Sequence, residues 1–237
     1  MPSDLLVRKL VLLPGMDGTG TLFAPFIEAL PSGFEAVPVS YPNDRPLSNP
    51  ELKDHILTRL PKNEPFALLA ESFSTPLAVQ IAASQPAGLR ALILVAGFVT
   101  NPSYAWLPGL GALLLPGKMR LRLPDIMVRR ALLGPAAPRR LLQDVKTAMF
   151  AMRPSVFSSR LGMVSSCDSR AELAKVAVPI LYLQAKSDRI VKSQSVDEIL
   201  GIRPDVAVAR IEGPHLLLQR EPRQSVENVI SFIQQLT

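Results

Sequence analysis

A serine hydroxyl, an imidazole and a carboxylate perform acyl chemistry when they stand in line, and this sequence supplies one of each in suitable surroundings. Ser72 lies in Ala70-Glu71-Ser72-Phe73-Ser74, Asp188 in Lys186-Ser187-Asp188-Arg189-Ile190-Val191, and His215 in Gly213-Pro214-His215-Leu216-Leu217. A serine hydroxyl is a poor nucleophile at neutral pH. A histidine within hydrogen-bond reach takes its proton during attack, and a carboxylate fixes the histidine tautomer and stabilises the imidazolium. The chain holds only two histidines. His55 sits among Glu51, Lys53 and Asp54 in a helical stretch and reads as a solvated or second-layer side chain, which leaves His215 as the base if the chemistry exists. Taken alone, the Ser72 stretch reads equally well as a surface serine that caps a helix. Glu71 admits two roles, a hydrogen-bonded group behind the turn or a modulator of histidine basicity.

The elements that would position these groups follow from hydrophobic patterning. Phe66 to Ala70 is an apolar run of strand length, and Thr75 to Ala83 has the spacing and alanine content of a buried helix. Ser72 then falls on a strand-to-helix turn, where its hydroxyl is lifted out of the sheet beside the N–H groups of the helix start. Leu10 to Leu13 reads as a strand running into Pro14-Gly15-Met16-Asp17-Gly18-Thr19-Gly20. Those glycine spacings match neither the dinucleotide fingerprint nor the phosphate-binding loop, so nucleotide binding is excluded. Phe34 to Ser40 is a weaker strand in which Pro38 favours a position near the sheet edge or a bulge. Leu89 to Gly97, Pro179 to Ala185 and Val206 to Ile211 complete the strands, and Asp188 and His215 come just after the last two. Strands alternating with helices imply a parallel sheet covered on both faces, with ligands bound beyond the carboxyl ends of its strands.

The alternation stops between residues 101 and 170. Short amphipathic pieces (Met119 to Leu133, Pro138 to Met152, Ser155 to Met163) separated by Pro and Gly suggest a helical cap over a core formed by residues 1–100 and 171–237. The apolar start of this insertion, with Trp106, Leu110 and Leu113, could line a pocket for a hydrocarbon group, or simply pack as core. Between residues 101 and 165, ten basic residues oppose Asp125 and Asp144, a local charge of +8 within an overall +6. Such a surface could dock an acidic acyl-carrier protein, or be merely solvated; being local, it does not mark a nucleic-acid binder. The 237 residues are 48% hydrophobic and suit one large globule. A single Cys167 and the absence of a signal-peptide pattern at Met1-Pro2-Ser3-Asp4 lead to a cytoplasmic expectation. The uncharged stretch from Ala91 to Gly117 is interrupted by Asn101, Pro102, Pro108 and Pro116, so no membrane span is expected.

Four segments in this order resemble the α/β-hydrolase superfamily: Leu12-Leu13-Pro14-Gly15-Met16 its oxyanion-loop strand, Ala70 to Ser74 its nucleophile elbow, Ser187 to Val191 its acid loop and Gly213 to Leu217 its histidine loop. The resemblance implies an oxyanion hole made by the backbone N–H groups of Met16 and Phe73, a triad of Ser72, Asp188 and His215, and no metal or organic cofactor. Ala70 and Ser74 depart from the usual elbow glycines, and Pro14 stands where many relatives have histidine. Without the first two strands of the full family sheet, about six strands are expected. The expected activity is that of a serine esterase with a hydrophobic small-molecule substrate. Thioester or ester cleavage, or acyl transfer, on carrier-bound groups is an alternative, as is a binding protein of the same fold without chemistry.

Overall fold

The computed structural model describes residues 7–62, 64–102 and 124–236. Six strands form one sheet: β1 (Lys9–Leu13), β2 (Glu35–Pro38), β3 (Phe66–Glu71), β4 (Leu89–Val95), β5 (Ile180–Ala185) and β6 (Ala207–Ile211). Their order is β2-β1-β3-β4-β5-β6, and every neighbouring pair is parallel. Pro38 ends the edge strand β2, where its missing N–H interrupts no ladder between interior strands.

The side-chain period of two sorts the apolar strand residues into two cores. Val11, Leu13, Leu68, Ala70, Leu92 and Leu94 face one way, with Leu52 and Ile56 of α2 (Asn49–Leu57) and Leu77 and Ile81 of α3 (Thr75–Ala83). Leu10, Leu12, Leu69, Ile93, Val95 and Leu183 face the other, against Phe26 of α1 (Ala24–Glu28) and Val229 and Ile233 near the C-terminus. Two-sided burial is why these strands read as unbroken apolar runs. The first helical segment is short: a 3-10 turn, Thr21–Phe23, precedes α1, whose first turn holds Pro25.

Chain order reverses between β1 and β3. In open parallel sheets the crevice at such a reversal, beyond the strand ends, is the natural place for a ligand. The loop after β1 and the turn after β3 meet there.

Between β4 and β5 the described residues supply α4 (Asp125–Val128), a π-helical turn (Arg129–Leu133), α5 (Arg139–Ala151), α6 (Pro154–Ser165) and α7 (Arg170–Leu173). Gly134, at φ +74°, follows the π turn, a backbone that glycine adopts without steric cost. These helices have their own apolar cluster, in which Leu133, Leu142, Val145, Met152 and Phe157 join Leu22 and Leu216 of the sheet layer. After β5 come α8 (Gln194–Ile202), then β6, α9 (Leu217–Arg220) and α10 (Pro222–Gln234). Among the described residues no helix is long and apolar enough to cross a membrane.

Candidate active site

Ser72 sits where β3 stops and a 3-10 turn, Ser72–Ser74, leads into α3. Its φ of +49° is a left-handed backbone that a non-glycine residue adopts only when its surroundings over-determine it, at a cost of about 1–3 kcal/mol. The surroundings are on hand: the Thr75 hydroxyl lies 2.8 Å from the Ser72 carbonyl and accepts the Phe98 N–H at 3.0 Å, tying the turn to the chain after β4.

The structure brings Ser72, His215 and Asp188 into one line. His215 Nε2 lies 2.9 Å from Ser72 Oγ, and its Nδ1 lies 2.8 Å from Asp188 Oδ2. Asp188 Oδ1 accepts the backbone N–H groups of Ile190 (2.7 Å) and Val191 (2.9 Å), which fixes the carboxylate plane. With Asp188 accepting from Nδ1–H, the Nε2 lone pair is directed at the serine hydroxyl. Burial of His215 disfavours its charged form, but the Asp188 charge and hydrogen bond outweigh this, and its pKa is raised above the ordinary histidine value. His55, by contrast, bonds the Ser40 carbonyl at 2.8 Å, away from this line.

The loop after β1 closes the other side. Gly18 donates to the Gly15 carbonyl at 3.1 Å, a turn that sets the plane of the Gly15–Met16 peptide. In a trans peptide the N–H points opposite the carbonyl, so the Met16 N–H faces away from that bond. A Cβ added to Gly15 would lie 4.0 Å from Ser72 Cβ, so the loop passes directly over the serine. Phe73, the residue after Ser72, is the middle residue of the 3-10 turn.

Glu71 is buried behind the serine. Gln219 Nε2 donates to its Oε2 at 3.2 Å, while Glu71 Oε1 and Gln219 Oε1 have no hydrogen-bond partner among the described residues. A protonated carboxyl would give this pair the donor it lacks. Burial is the main reason the Glu71 pKa is raised to about 7; nearby His215 opposes the rise and Asp17 adds to it. The sign of the linkage follows. The folded chain retains this proton above the ordinary carboxyl pKa, so stability falls as pH climbs from about 4.5 through about 7, by an amount on the order of 3 kcal/mol. Glu71→Gln is therefore expected to be more stable than the wild type in urea denaturation at pH 8, with the gap closing by pH 5. An equal difference at both pH values would show that Glu71 is not held neutral.

The crevice above Ser72 is lined by Met16, Leu22, Val128, Leu132, Met149 and Phe157, with Asp17, Ser72 and His215 its only polar side chains among the described residues. The lining thus comes from α4, the π turn, α5 and α6 on one side and from the loops of the sheet layer, with Met16, Leu22, Ile190 and Leu216, on the other. Trp106, Leu110 and Leu113 lie outside the described residues. The basic stretch is partly engaged internally: Lys146 pairs with Asp125, Arg129 donates to the Ala137 carbonyl at 2.7 Å, and Arg160 is buried.

A family model for serine aminopeptidases of the S33 type matches residues 50–213. The chain belongs to this family of α/β-hydrolases. The matched stretch contains Ser72 and Asp188 and stops two residues before His215. No curated protein sequence matches the chain. Among solved structures, a hydrolase from Pseudomonas aeruginosa superposes with a TM-score of 0.79 at 16% identity, covering 96% of this chain and 90% of its own. An esterase from a Rhodococcus species gives 0.77 at 17% identity over 98% and 92% of the two chains. An enol-lactonase from Burkholderia xenovorans gives 0.74 at 14% over 96% and 92%. At these identities the likeness is one of fold. The six-stranded parallel sheet of this hydrolase is that fold.

Sequence reasoning did not single out Tyr41 or Arg160, and noted Ser74 only as a departure from glycine. Ser74, in the place of an elbow glycine, is fully buried and donates to the Pro14 carbonyl, joining the elbow to the loop after β1. Tyr41 bonds Ser74 Oγ at 2.7 Å. Arg160 reaches the same loop from α6. No local pattern announces these contacts, because each partner is at least 33 residues away in sequence.

Proposed function

We propose that this hydrolase cleaves carboxylic esters with a hydrophobic acyl group through a Ser-His-Asp triad and an acyl-enzyme intermediate. The observation that carries the reading is the line from Ser72 through His215 to Asp188, at 2.9 and 2.8 Å, opening into an apolar crevice. Ser72 Oγ attacks the ester carbonyl carbon as its proton passes to His215 Nε2. The carbonyl oxygen takes the negative charge and is held by the Met16 and Phe73 N–H groups. His215 then gives its proton to the departing alkoxide. Water, deprotonated in turn by His215, attacks the acyl-enzyme, and the acid leaves with Ser72 regenerated. Side chains, backbone and water suffice for each step.

In this reading residues 101–170 act as a cap over a core of residues 1–100 and 171–237, and the cap helices provide the acyl pocket. An ester is favoured over an aminoacyl substrate because the crevice offers hydrocarbon contacts along most of its lining. The fold neighbours named as an esterase and an enol-lactonase are in keeping with it.

Burst-phase kinetics with p-nitrophenyl esters from acetate to laurate test the proposal. A burst of one equivalent is expected. Because each buried methylene is worth about 0.8 kcal/mol, kcat/KM should rise about fourfold per carbon until the pocket is full. A flat series, or faster turnover of alanine p-nitroanilide than of any ester, would overturn it.

A further inference from the structure

Arg160 is 3% exposed, yet among the described residues no carboxylate forms an ion pair with it. Burying a guanidinium without a paired carboxylate is costly; Asp17 attracts it only through space, and its hydrogen bonds go to Met152 Sδ, which accepts from Nη1 at 3.3 Å, and to two carbonyls of the sheet layer. Nη1 donates to Met16 O at 2.7 Å and Nη2 to Pro42 O at 3.1 Å. The same group lies over two aromatic rings, with Cζ 5.6 Å from the Tyr41 centroid and 5.9 Å from that of Phe73. Met16 and Phe73 are the two residues whose N–H groups the proposed oxyanion hole needs.

The space around it is built for a planar fork. A Cβ on Gly18 would stand 2.5 Å from Nη1, so only glycine lets the guanidinium approach, and Gly18 also has φ +68°. Tyr41 holds the other flank: its N–H donates to Gly18 O at 2.7 Å, and since Ser74 spends its one proton on Pro14 O, the Tyr41 hydroxyl donates to Ser74 Oγ. Loop, elbow and guanidinium thus share one buried network. Arg160 comes from α6, whose Phe157 and Leu161 line the crevice.

We propose that Arg160 is the positioning residue of the oxyanion hole, holding the Met16 and Phe73 donors at their working separation and coupling that separation to the seating of α6. The inference rests on the ester-hydrolase reading. A guanidinium can span two carbonyls and stack on rings at once, which an ammonium cannot. Arg160→Lys should therefore keep the charge and lose the geometry. A displacement of about 1 Å in such a site costs about 10²-fold in rate.

The test uses Arg160→Lys and, as a second variant that leaves the arginine in place and pushes it off the Met16 carbonyl, Gly18→Ala. Active sites are counted with a fluorophosphonate, so that kcat refers to competent serines and misfolded chains drop out. The expected result in either variant is kcat per titrated site lower by about 10²-fold with KM within threefold. The affinity for a trifluoromethyl ketone, whose adduct carries the oxyanion, should fall by the same factor, while that for the non-fluorinated ketone stays within threefold. Normal kcat per titrated site and unchanged trifluoromethyl ketone affinity, with only thermal stability lowered, would make Arg160 a structural anchor and overturn the inference. A wild type with no titratable serine and no ester turnover would instead remove the ester-hydrolase reading, and this inference with it.

Discussion

Ser72→Ala is expected to lower kcat for the best p-nitrophenyl ester by about 10⁶-fold and to abolish the burst. The oxygen that attacks is gone, and the neighbouring hydroxyls are engaged elsewhere: Ser74 bonds the Pro14 carbonyl and Tyr41, and Thr75 faces the Ser72 and Phe98 carbonyls. His215→Ala should cost about as much, and the double variant little more, because the two groups act as one unit. Both proteins should remain folded, since the sheet core lies beneath the turn. Residual turnover within tenfold of the wild type in folded Ser72→Ala would eliminate the nucleophile and return weight to a binding role.

Asp188→Asn should cost about 10⁴-fold in kcat while leaving the backbone in place. The Ile190 and Val191 N–H groups both donate to Oδ1, so the amide oxygen of an asparagine is retained there and its NH₂ faces His215 Nδ1. That arrangement makes Nδ1 the acceptor and puts the imidazole proton on Nε2, facing a serine that needs a lone pair. The pH profile should move as well. His215 must be neutral to act as base, so wild-type kcat/KM rises with pH through its raised pKa. Removing the Asp188 charge, one of the causes of that rise, shifts the ascending limb to lower pH. A profile that stays in place, with activity above a tenth of the wild type, would contradict the assigned role.

The alignment of Ser72, His215 and Asp188 was legible in sequence because each directly follows an apolar run, and chain order alone brings the three to one sheet edge. The six-stranded parallel sheet was legible for the same reason, as Leu92 to Val95 and Ile180 to Leu183 are apolar on both faces. Arg160 shows what patterning misses. As a sequence it was one of ten charges on an amphipathic stretch, and charge at helical spacing reads as solvated; its burial depends on Met16, Pro42 and Tyr41, all more than 110 residues away. Ser74 misled in a different way. Read as a steric departure from glycine, it is a hydrogen-bonding post between the elbow and Pro14. The pocket expectation rested on Trp106, Leu110 and Leu113, outside the described residues; the described lining comes from α4, the π turn, α5, α6 and the loops of the sheet layer.

The partners of the Ser72–His215 hydrogen bond are 143 residues apart, and the histidine hangs from β6, an edge strand that pairs with β5 alone. A ribosome finishes the serine elbow, β3 and β4 long before it delivers the base. In the proposed reading the nascent chain therefore carries Ser72 without its base until the last strand has been synthesised. The same geometry operates in reverse in the mature protein: a local opening of the β6 edge withdraws the imidazole while the central strands stay paired, so competence is lost at a lower free-energy cost than the fold.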